Sequence, residues 1–354
     1  MHLFDTIEII PYQLHFKKPA RTSRSEMRNR RVYFIKSFEE KNQNLSGWGE
    51  IAPLDGLSPE GLEFHHKMDR MARKNGNKDT FKELMQFPSF RFGLESARLD
   101  LAHGGKRIWY PGSFTQGKSA IPINGLIWMG DKSSMLQQIR KKLSDGYPCL
   151  KLKIGGIDFT EELELLKYIR KEFSYDELEL RLDANGSLQL DNVEEKLKKL
   201  SSFTIHSIEQ PIPAGHHDHM ARLCEANIIP IALDEELIGL KTSEEKVNLL
   251  KTVRPQYLIF KPSLIGGLVE TKEYIMLCEK MKIDWWITSA LESNVGLCIL
   301  AQFCGHMGVE RVQGLGTGKL FTNNIDSPLR EEKGEIFMDT STPWGELESF
   351  PGSH

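Results

Sequence analysis

The sequence predicts an α/β protein in which a parallel (β/α) barrel follows a smaller α+β domain. The chain has 354 residues, which is more than one ordinary small domain holds. From about residue 119 onward, short apolar runs alternate with amphipathic helical stretches, a pattern typical of repeated βα units. The seven or eight units favour a closed barrel over an open sheet. With 40% hydrophobic and 27% charged residues, the composition excludes disordered and fibrous classes.

The first part of the chain, residues 1–118, predicts an α+β domain. Residues 7–10 and 31–35 are rich in β-branched and aromatic side chains, which indicates strands, and residues 47–50 fit a third strand. Two helices are expected next. The first is predicted to begin at Pro59, because proline suits the first turn of a helix.

Seven apolar runs are the candidate barrel strands. They are residues 121–127, 149–154, 178–182, 204–208, 228–233, 257–260 and 284–288. The barrel domain is therefore expected over residues 119–320. The last segment, residues 321–354, lacks this alternation and is expected to return to the first domain.

Charge and cysteine usage exclude several classes of protein. The net charge is −3 and the pI is about 6.4, so no general attraction to nucleic acid is expected. No stretch approaches the roughly 18 apolar residues that span a bilayer, and the start lacks a secretory pattern. The five cysteines form no CxxC pair, which predicts buried thiols in a reducing cytoplasm. A homo-oligomer is compatible with the sequence, which does not determine the oligomeric state.

Charged residues follow five candidate strands at intervals of 25 to 30 residues. They are Lys153, Asp183, Glu209, Asp234 and Lys261. In a barrel these strand ends converge on one face, where active sites lie. Three neighbouring carboxylates suit Mg²⁺, and flanking lysines could remove a proton next to a metal-bound carboxylate.

Two further basic residues point to the same face of the barrel strands. Lys151 lies two residues before Lys153, so its charge would lower the pKa of Lys153 and make that amine a usable base. The alternative is a solvent-facing pair of lysines, which a barrel interior disfavours. Arg181 lies two residues before Asp183 and could pair with the metal carboxylates, reach a substrate carboxylate, or pack inside the barrel.

Several motifs resemble the enolase superfamily, in its muconate-lactonizing-enzyme subgroup. They are Lys151-Leu152-Lys153, Asp183-Ala184-Asn185, Glu209-Gln210-Pro211, Asp234-Glu235, Lys261-Pro262 and the stretch 289–296. The resemblance implies a modified (β/α)7β barrel whose N-terminal capping domain is completed by the C-terminal segment. It also implies Mg²⁺, or Mn²⁺ as a substitute, on Asp183, Glu209 and Asp234, with Lys153 and Lys261 as the catalytic lysines.

Within this subgroup, residues 49–54, 123–127 and 314–321 are similar to the enzymes that form o-succinylbenzoate in menaquinone biosynthesis. The resemblance implies a lyase that dehydrates 2-succinyl-6-hydroxy-2,4-cyclohexadiene-1-carboxylate, a small-molecule carboxylate. The residues expected to contact this substrate are Arg181, Asn185, Ser289, Gly314 and Gly316.

Two alternatives remain open. Dipeptide epimerases of the superfamily usually carry an Asp-x-Asp pair after the last barrel strand, where this chain has the carboxylate-free stretch 314–318. That difference favours a substrate without a free amine, although N-acylamino acid racemization stays possible. A barrel that only binds a ligand is the alternative from another class, but such proteins usually lose a metal ligand or a lysine, and all five positions are present here.

An arginine-rich stretch is the last feature that the sequence singles out. It contains Arg21, Arg24, Arg28, Arg30 and Arg31. The favoured interpretation is a solvated loop, the second is a capping loop that presents positive charge to a dianionic substrate, and nucleic-acid binding is the least favoured.

Overall fold

The computed structural model describes residues 7–21, 26–39, 42–73 and 78–346. The capping domain begins with a three-stranded antiparallel sheet in sequential order, followed by three helices. The strands are β1 (Ile7–Arg21), β2 (Glu26–Glu39) and β3 (Asn42–Ile51), and the helices are α1 (Leu62–Ala72), α2 (Lys78–Leu84) and α3 (Pro88–Ala102). A separate small core lies between this sheet and its helices, with Tyr33, Phe64 and Phe90 fully buried or nearly so.

Three expectations for the capping domain are wrong. Three helices follow the strands instead of two. Helix α1 begins at Leu62 rather than Pro59, because Ser58 closes a turn in which its Oγ accepts a hydrogen bond from the Leu54 amide at 2.9 Å. The arginine-rich stretch is not a loop where the structure describes it, since Arg28, Arg30 and Arg31 lie within β2, and Arg30 and Arg31 pair with Leu14 and Gln13 of β1. The side chains of residues 21–25 lie outside the described residues.

Seven parallel strands form the barrel sheet in strictly sequential order. They are β5 (Gly125–Ile127), β6 (Cys149–Lys153), β7 (Glu179–Asp183), β8 (Ser207–Glu209), β9 (Ile231–Leu233), β10 (Tyr257–Phe260) and β11 (Asp284–Ile287). The helices are α4 (Lys132–Ser144), α5 (Phe159–Glu172), α6 (Val193–Ser201), α7 (His217–Ala226), α8 (Ser243–Val253), α9 (Pro262–Ile265), α10 (Leu268–Met281) and α11 (Asn294–Met307). These strands are largely buried because helices cover the outer face of a parallel sheet.

Residues Gln313 and Gly314 close the barrel in place of an eighth full strand. Gln313 bridges to Ile123 and Gly314 bridges to Thr288, both in the parallel sense. The Gly314 amide donates to the Ile287 carbonyl at 2.8 Å, and the Ser289 amide donates to the Gly314 carbonyl at 3.0 Å. The predicted fold class, seven βα units and a closing strand behind a capping domain, is confirmed.

The final segment of the chain contacts both domains. The antiparallel pair β12 (Leu329–Glu332) and β13 (Glu335–Met338) joins β4 (Ile121–Pro122), which is therefore separate from β5 rather than part of one strand over 121–127. Next to it, the Thr322 amide donates to the His15 carbonyl of β1 at 2.8 Å. The boundaries at 118 and 320 stay predictions.

The sequence also predicts that the cysteines are buried and that no segment spans a membrane. All five cysteines are buried free thiols. Among the described residues, no helix has both the length and the apolar character needed to cross a membrane.

Two carboxylates of the capping domain accept hydrogen bonds from the first turns of barrel helices. Glu50 accepts from the Ser293 amide at 2.8 Å, the Ser293 hydroxyl at 2.5 Å and the Gly296 amide at 2.7 Å, at the start of α11. Glu95 accepts from the Leu268 amide at 2.7 Å at the start of α10. Since free amides and the positive end of the helix dipole meet at a helix start, these contacts hold the cap on the barrel.

We expect Glu50→Gln to destabilise the protein. An amide side chain turns an N–H₂ group toward donors and cannot satisfy all three of them, so the loss in unfolding free energy should be about 2 kcal/mol. Glu39→Gln is the matched control, because Glu39 is an exposed glutamate of the same capping sheet. It should change stability by less than about 0.5 kcal/mol. Urea unfolding of both variants measures the difference, and equal curves would contradict this account of domain docking.

Candidate active site

The charged residues predicted at the strand ends do converge. In the parallel ladders Lys153 pairs with Asp183, and Asp183 pairs with Glu209, so they stand side by side on adjacent strands. Asp234 and Lys261 directly follow β9 and β10 and complete the row. The reason is local: each strand ends where its apolar run ends, and parallel strands in register bring these ends to one rim.

Every lysine at this rim is paired with a carboxylate. Lys151 Nζ lies 2.9 Å from Asp183 Oδ2 and also contacts Glu209. Lys153 Nζ lies 2.9 Å from the same Asp183 oxygen. Lys261 contacts Asp234 and lies 3.9 Å from Glu209 Oε1.

The three lysines differ in the direction of their pKa shifts. Burial lowers the pKa of Lys153, and the positive charges of Lys151 and Lys261 add to this effect against the attraction of Asp183. Burial also acts on Lys151 and Lys261, but nearby carboxylates outweigh it and raise the pKa of both. Lys153 is thus the lysine that most readily becomes a neutral amine.

The carboxylates respond in opposite directions as well. Burial would raise the pKa of Asp183, but Lys151, Lys153 and Lys261 overcome it and hold that pKa well below its usual range. Burial raises the pKa of Glu209, and the neighbouring Asp183 charge raises it further. A buried carboxylate beside another carboxylate is ionised more readily when an additional positive charge lies next to it.

The residue types at the rim fit a hard divalent cation. The Oε1 atom of Glu209 is buried and accepts no hydrogen bond, which leaves a carboxylate oxygen available as a ligand. Carboxylate oxygens are the donors that Mg²⁺ prefers. Over the described ranges, no three His, Cys, Asp or Glu side chains are already grouped as a metal site. In the structure these carboxylates are paired with lysines instead: Lys151 contacts Asp183 and Glu209, and Lys261 contacts Asp234.

A cavity of about 360 Å³ opens above the lysines and lies between the two domains. The capping domain contributes Met27, Leu54, Asp55, Gly56 and Leu57. The barrel contributes Asn124, Leu126, Trp128, Lys151, Lys153, Asp183, Asn185, Lys261, Thr288, Ser289, Ala290, Leu291, Gly314, Gly316 and Thr317. The volume suits a small molecule, and the mixture of an apolar lining with a few polar groups is typical of ligand sites.

Four of the five residues predicted to contact substrate line this cavity. Asn185 Oδ1 accepts a hydrogen bond from Lys153 Nζ at 2.8 Å. Ser289 Oγ accepts one from the Thr317 hydroxyl at 2.9 Å. At Gly314 an added Cβ would lie 2.9 Å from the Thr288 Cβ, so only glycine fits there. Gly316 similarly passes close to a barrel backbone carbonyl.

Arg181 is the exception, and its predicted contact with substrate is not supported by its position. Its Nε donates to Glu179 at 2.6 Å, its Nη1 donates to the Val312 carbonyl at 2.9 Å, and its guanidinium lies 4.2 Å from the centre of the Trp286 ring. Arg181 stands opposite Lys151 in the parallel ladder, two residues before β7 ends at Asp183. Its side chain is buried and packs inside the barrel. Packing was one of the alternatives that the sequence left open.

Some cavity residues were missed by the sequence analysis. Trp128 directly follows β5, and Lys153 Nζ lies 5.9 Å from the centre of its ring, so the strand-end rule could have identified it. Thr288 directly follows β11 and was treated only as the end of a strand. Met27 carried no signal, because the docking of the capping domain places it there, and Leu54 belongs to the family-like motif 49–54 but was not predicted to line the cavity.

The closed barrel, its capping domain and the row of lysines and carboxylates define an enolase-type barrel protein. Comparison with protein families agrees with this class. Residues 134–341 match the family described as enolase C-terminal domain-like, and residues 5–101 match the MenC N-terminal domain family. The chain therefore belongs to the enolase superfamily.

Individual proteins and solved structures of this superfamily are also similar to the chain. The chain is 41% identical to the o-succinylbenzoate synthase of Desulfotalea psychrophila, over 91% of this chain and 95% of that protein. The crystal structure of MenC from the same organism has a TM-score of 0.81 and 37% identity, covering 94% of this chain and all of that one. A dipeptide epimerase from Enterococcus faecalis, solved with Mg and the dipeptide L-Leu-L-Tyr, has a TM-score of 0.79 at 17% identity over 96% and 98% of the two chains, and so shares the fold alone.

Proposed function

We propose that this chain is an o-succinylbenzoate synthase, a Mg²⁺-dependent lyase of menaquinone biosynthesis. The observation that carries the proposal is the cavity wall. A lysine with a lowered pKa and a lysine with a raised pKa face one cavity, beside three buried carboxylates. The 41% identity to an o-succinylbenzoate synthase over most of both chains supports the same substrate.

Lys153 is the proposed base. Its neutral amine takes the proton from ring carbon 1 of the substrate, next to the carboxylate, and the C–H electron pair moves into that carboxylate as an enediolate. The enediolate electron pair then forms the double bond between carbons 1 and 6 as the C–O bond at carbon 6 breaks, and the departing hydroxyl takes the proton from Lys153 Nζ and leaves as water. The ring becomes aromatic, which drives the step. Asn185 accepts a hydrogen bond from Lys153 Nζ and so orients it.

Lys261 is proposed to act through its charge alone. Its pKa is raised despite burial, because Asp234, Glu209 and Asp183 surround it, so it remains an ammonium group. A positive charge placed beside the ring stabilises the enediolate that forms there. Lys151 is likewise cationic and is proposed to keep the pKa of Lys153 low.

Asp183, Glu209 and Asp234 are proposed to hold the cation. When bound, Mg²⁺ would draw electron density from the substrate carboxylate and offset the charge that develops on it.

N-Acylamino acid racemization is the second candidate. A relative described as an N-succinyl-L-Arg/Lys racemase is 26% identical over 72% of both chains. The two lysines on different strands are the arrangement that a two-base racemase needs. The differing pKa directions of Lys153 and Lys261 favour the one-base dehydratase.

The metal assignment predicts that Asp183→Asn, Glu209→Gln and Asp234→Asn each weaken Mg²⁺ binding, because each removes a charged oxygen ligand. Calorimetry with Mg²⁺ measures the effect. Asp191→Asn, which changes an exposed aspartate, is the matched control and should bind Mg²⁺ as the parent does. Unchanged binding in all three site variants would refute the assignment.

The division of roles predicts different outcomes for the two lysines. Lys153→Arg should abolish turnover, since a guanidinium with a pKa above about 12 cannot act as a base at neutral pH. Lys261→Arg should keep part of the activity, whereas Lys261→Ala should lose about 10²-fold or more in kcat. Lys167→Arg, on an exposed face of α5, is the control and should leave the activity unchanged. Complete loss in both Arg variants, with folded protein and normal Mg²⁺ binding, would favour a two-base racemase.

Substrate choice gives an independent prediction. Because the stretch 314–318 has no carboxylate to hold an amino group, an L-Ala-L-Glu dipeptide should be epimerized far more slowly than the cyclohexadiene carboxylate is dehydrated. Parallel assays of the two reactions on the same preparation test this. N-succinylamino acids in D₂O serve as a third substrate, and their exchange of the α-proton reports racemase activity. A faster dipeptide reaction would reject the proposed substrate.

A further inference from the structure

Arg30 of the capping domain is buried at the junction with the barrel. Only 4% of its surface is exposed, and it lies in β2, three residues after the cavity residue Met27. Burying a guanidinium is costly unless its donors are paired. The hydrogen bonds of Arg30 therefore indicate which parts of the structure it stabilises.

The guanidinium of Arg30 joins two loops that belong to different domains. Nη2 donates to the Ala52 carbonyl at 2.7 Å and lies 3.3 Å from the Pro53 carbonyl, both in the loop after β3. Nη1 donates to the Ala290 carbonyl, in the barrel loop after β11. The planar fork of an arginine reaches several carbonyls at once, which a lysine ammonium does not match in geometry.

Both loops line the cavity directly beyond these contacts. Leu54, Asp55 and Leu57 continue the first loop, and Ala290 and Leu291 belong to the second. Arg30 therefore bonds to the cap loop and to the barrel loop that form opposite walls of the cavity.

The barrel loop needs such support because its backbone is strained. Leu291 has a φ of 66°, in the left-handed region that non-glycine residues avoid. From the barrel side, Glu292 accepts hydrogen bonds from Ser263 and Ser289, each at 2.6 Å. From the cap side, the contact to the Ala290 carbonyl comes from Arg30.

We propose that Arg30 is a positioning residue that fixes the cap loop 52–57 against the barrel loop 288–292 and thereby sets the shape of the substrate cavity. It does not touch the reacting atoms. The part of this inference that concerns substrate rests on the proposed function, whereas the part that concerns the two loops does not.

Arg30→Met tests the inference, because methionine keeps an unbranched apolar stem and removes every donor. Amide hydrogen exchange should become at least about tenfold faster at 52–57 and 288–292, the loss expected when a charged donor no longer holds a carbonyl. KM for the cyclohexadiene carboxylate should rise by about tenfold or more on the same basis, while kcat falls less than KM rises. Mg²⁺ affinity should stay unchanged. For Arg30→Lys, both the exchange rates of the two loops and KM should lie between those of the parent and of Arg30→Met.

Two control variants separate positioning from general loss of stability. Arg28→Met changes an exposed arginine of the same strand, whose side chain is 73% exposed, and should leave loop exchange and KM unaltered. Ile35→Val trims the core of the capping domain, so it lowers the thermal midpoint without touching either loop. If Arg30→Met is too unstable to purify, Arg30→Lys carries the same comparison.

The outcomes are distinct. Unchanged exchange at both loops in Arg30→Met or Arg30→Lys would overturn the inference whatever the substrate proves to be. Faster exchange with an unaltered KM, or an equal rise of KM in Ile35→Val at a matched thermal midpoint, would also overturn it. Absence of dehydratase activity in the parent protein would reject the proposed function instead, and loop exchange would still decide the role of Arg30 in joining the loops.

Discussion

The structure depends on the pairing of buried lysines with buried carboxylates at the mouth of the barrel. Such groups are costly to remove from water, and each is tolerated because an opposite charge lies next to it. Asp183 is shared by Lys151 and Lys153, so these buried charges are paired as a connected set rather than as separate couples. The pairing thus requires adjacent parallel strands that end at the same level, which a closed barrel provides.

The capping domain completes a site that the barrel alone leaves open on one side. The barrel supplies the lysines and carboxylates, and the cap supplies apolar cover from Met27 and Leu54. Excluding water strengthens every electrostatic interaction beneath this cover. Buried cap groups such as Glu50 and Arg30 bond to the barrel close to the cavity wall, so docking and the shape of the site are two results of the same contacts.

The sequence predicted the barrel and its charged rim because both follow from a local repeat. In five consecutive units a charged residue stands at the end of a short, mostly apolar strand or directly after it, and parallel strands bring such ends together. Arg181 shows the limit of this reasoning, since alternation along a strand indicates a side of the sheet but not how far along the barrel axis a long side chain reaches. The role of Arg30 was not predicted either, because its bonding partners lie more than 20 and 250 residues away along the chain.

The asymmetry between the two proposed catalytic lysines follows from the order of the strands. Lys153 ends β6, where its one close carboxylate, Asp183, is shared with Lys151. Lys261 follows β10 at the other end of the row, where Asp234 is bonded to it and Glu209 lies nearby. Burial acts on both lysines in the same direction, so the difference in pKa direction comes from the local ratio of carboxylates to ammonium groups. Lys151 and Lys261 each have two carboxylates nearby and a raised pKa, whereas Lys153 has only the shared Asp183 and a lowered pKa, so the number of carboxylates beside each lysine separates the proposed base from its two cationic neighbours.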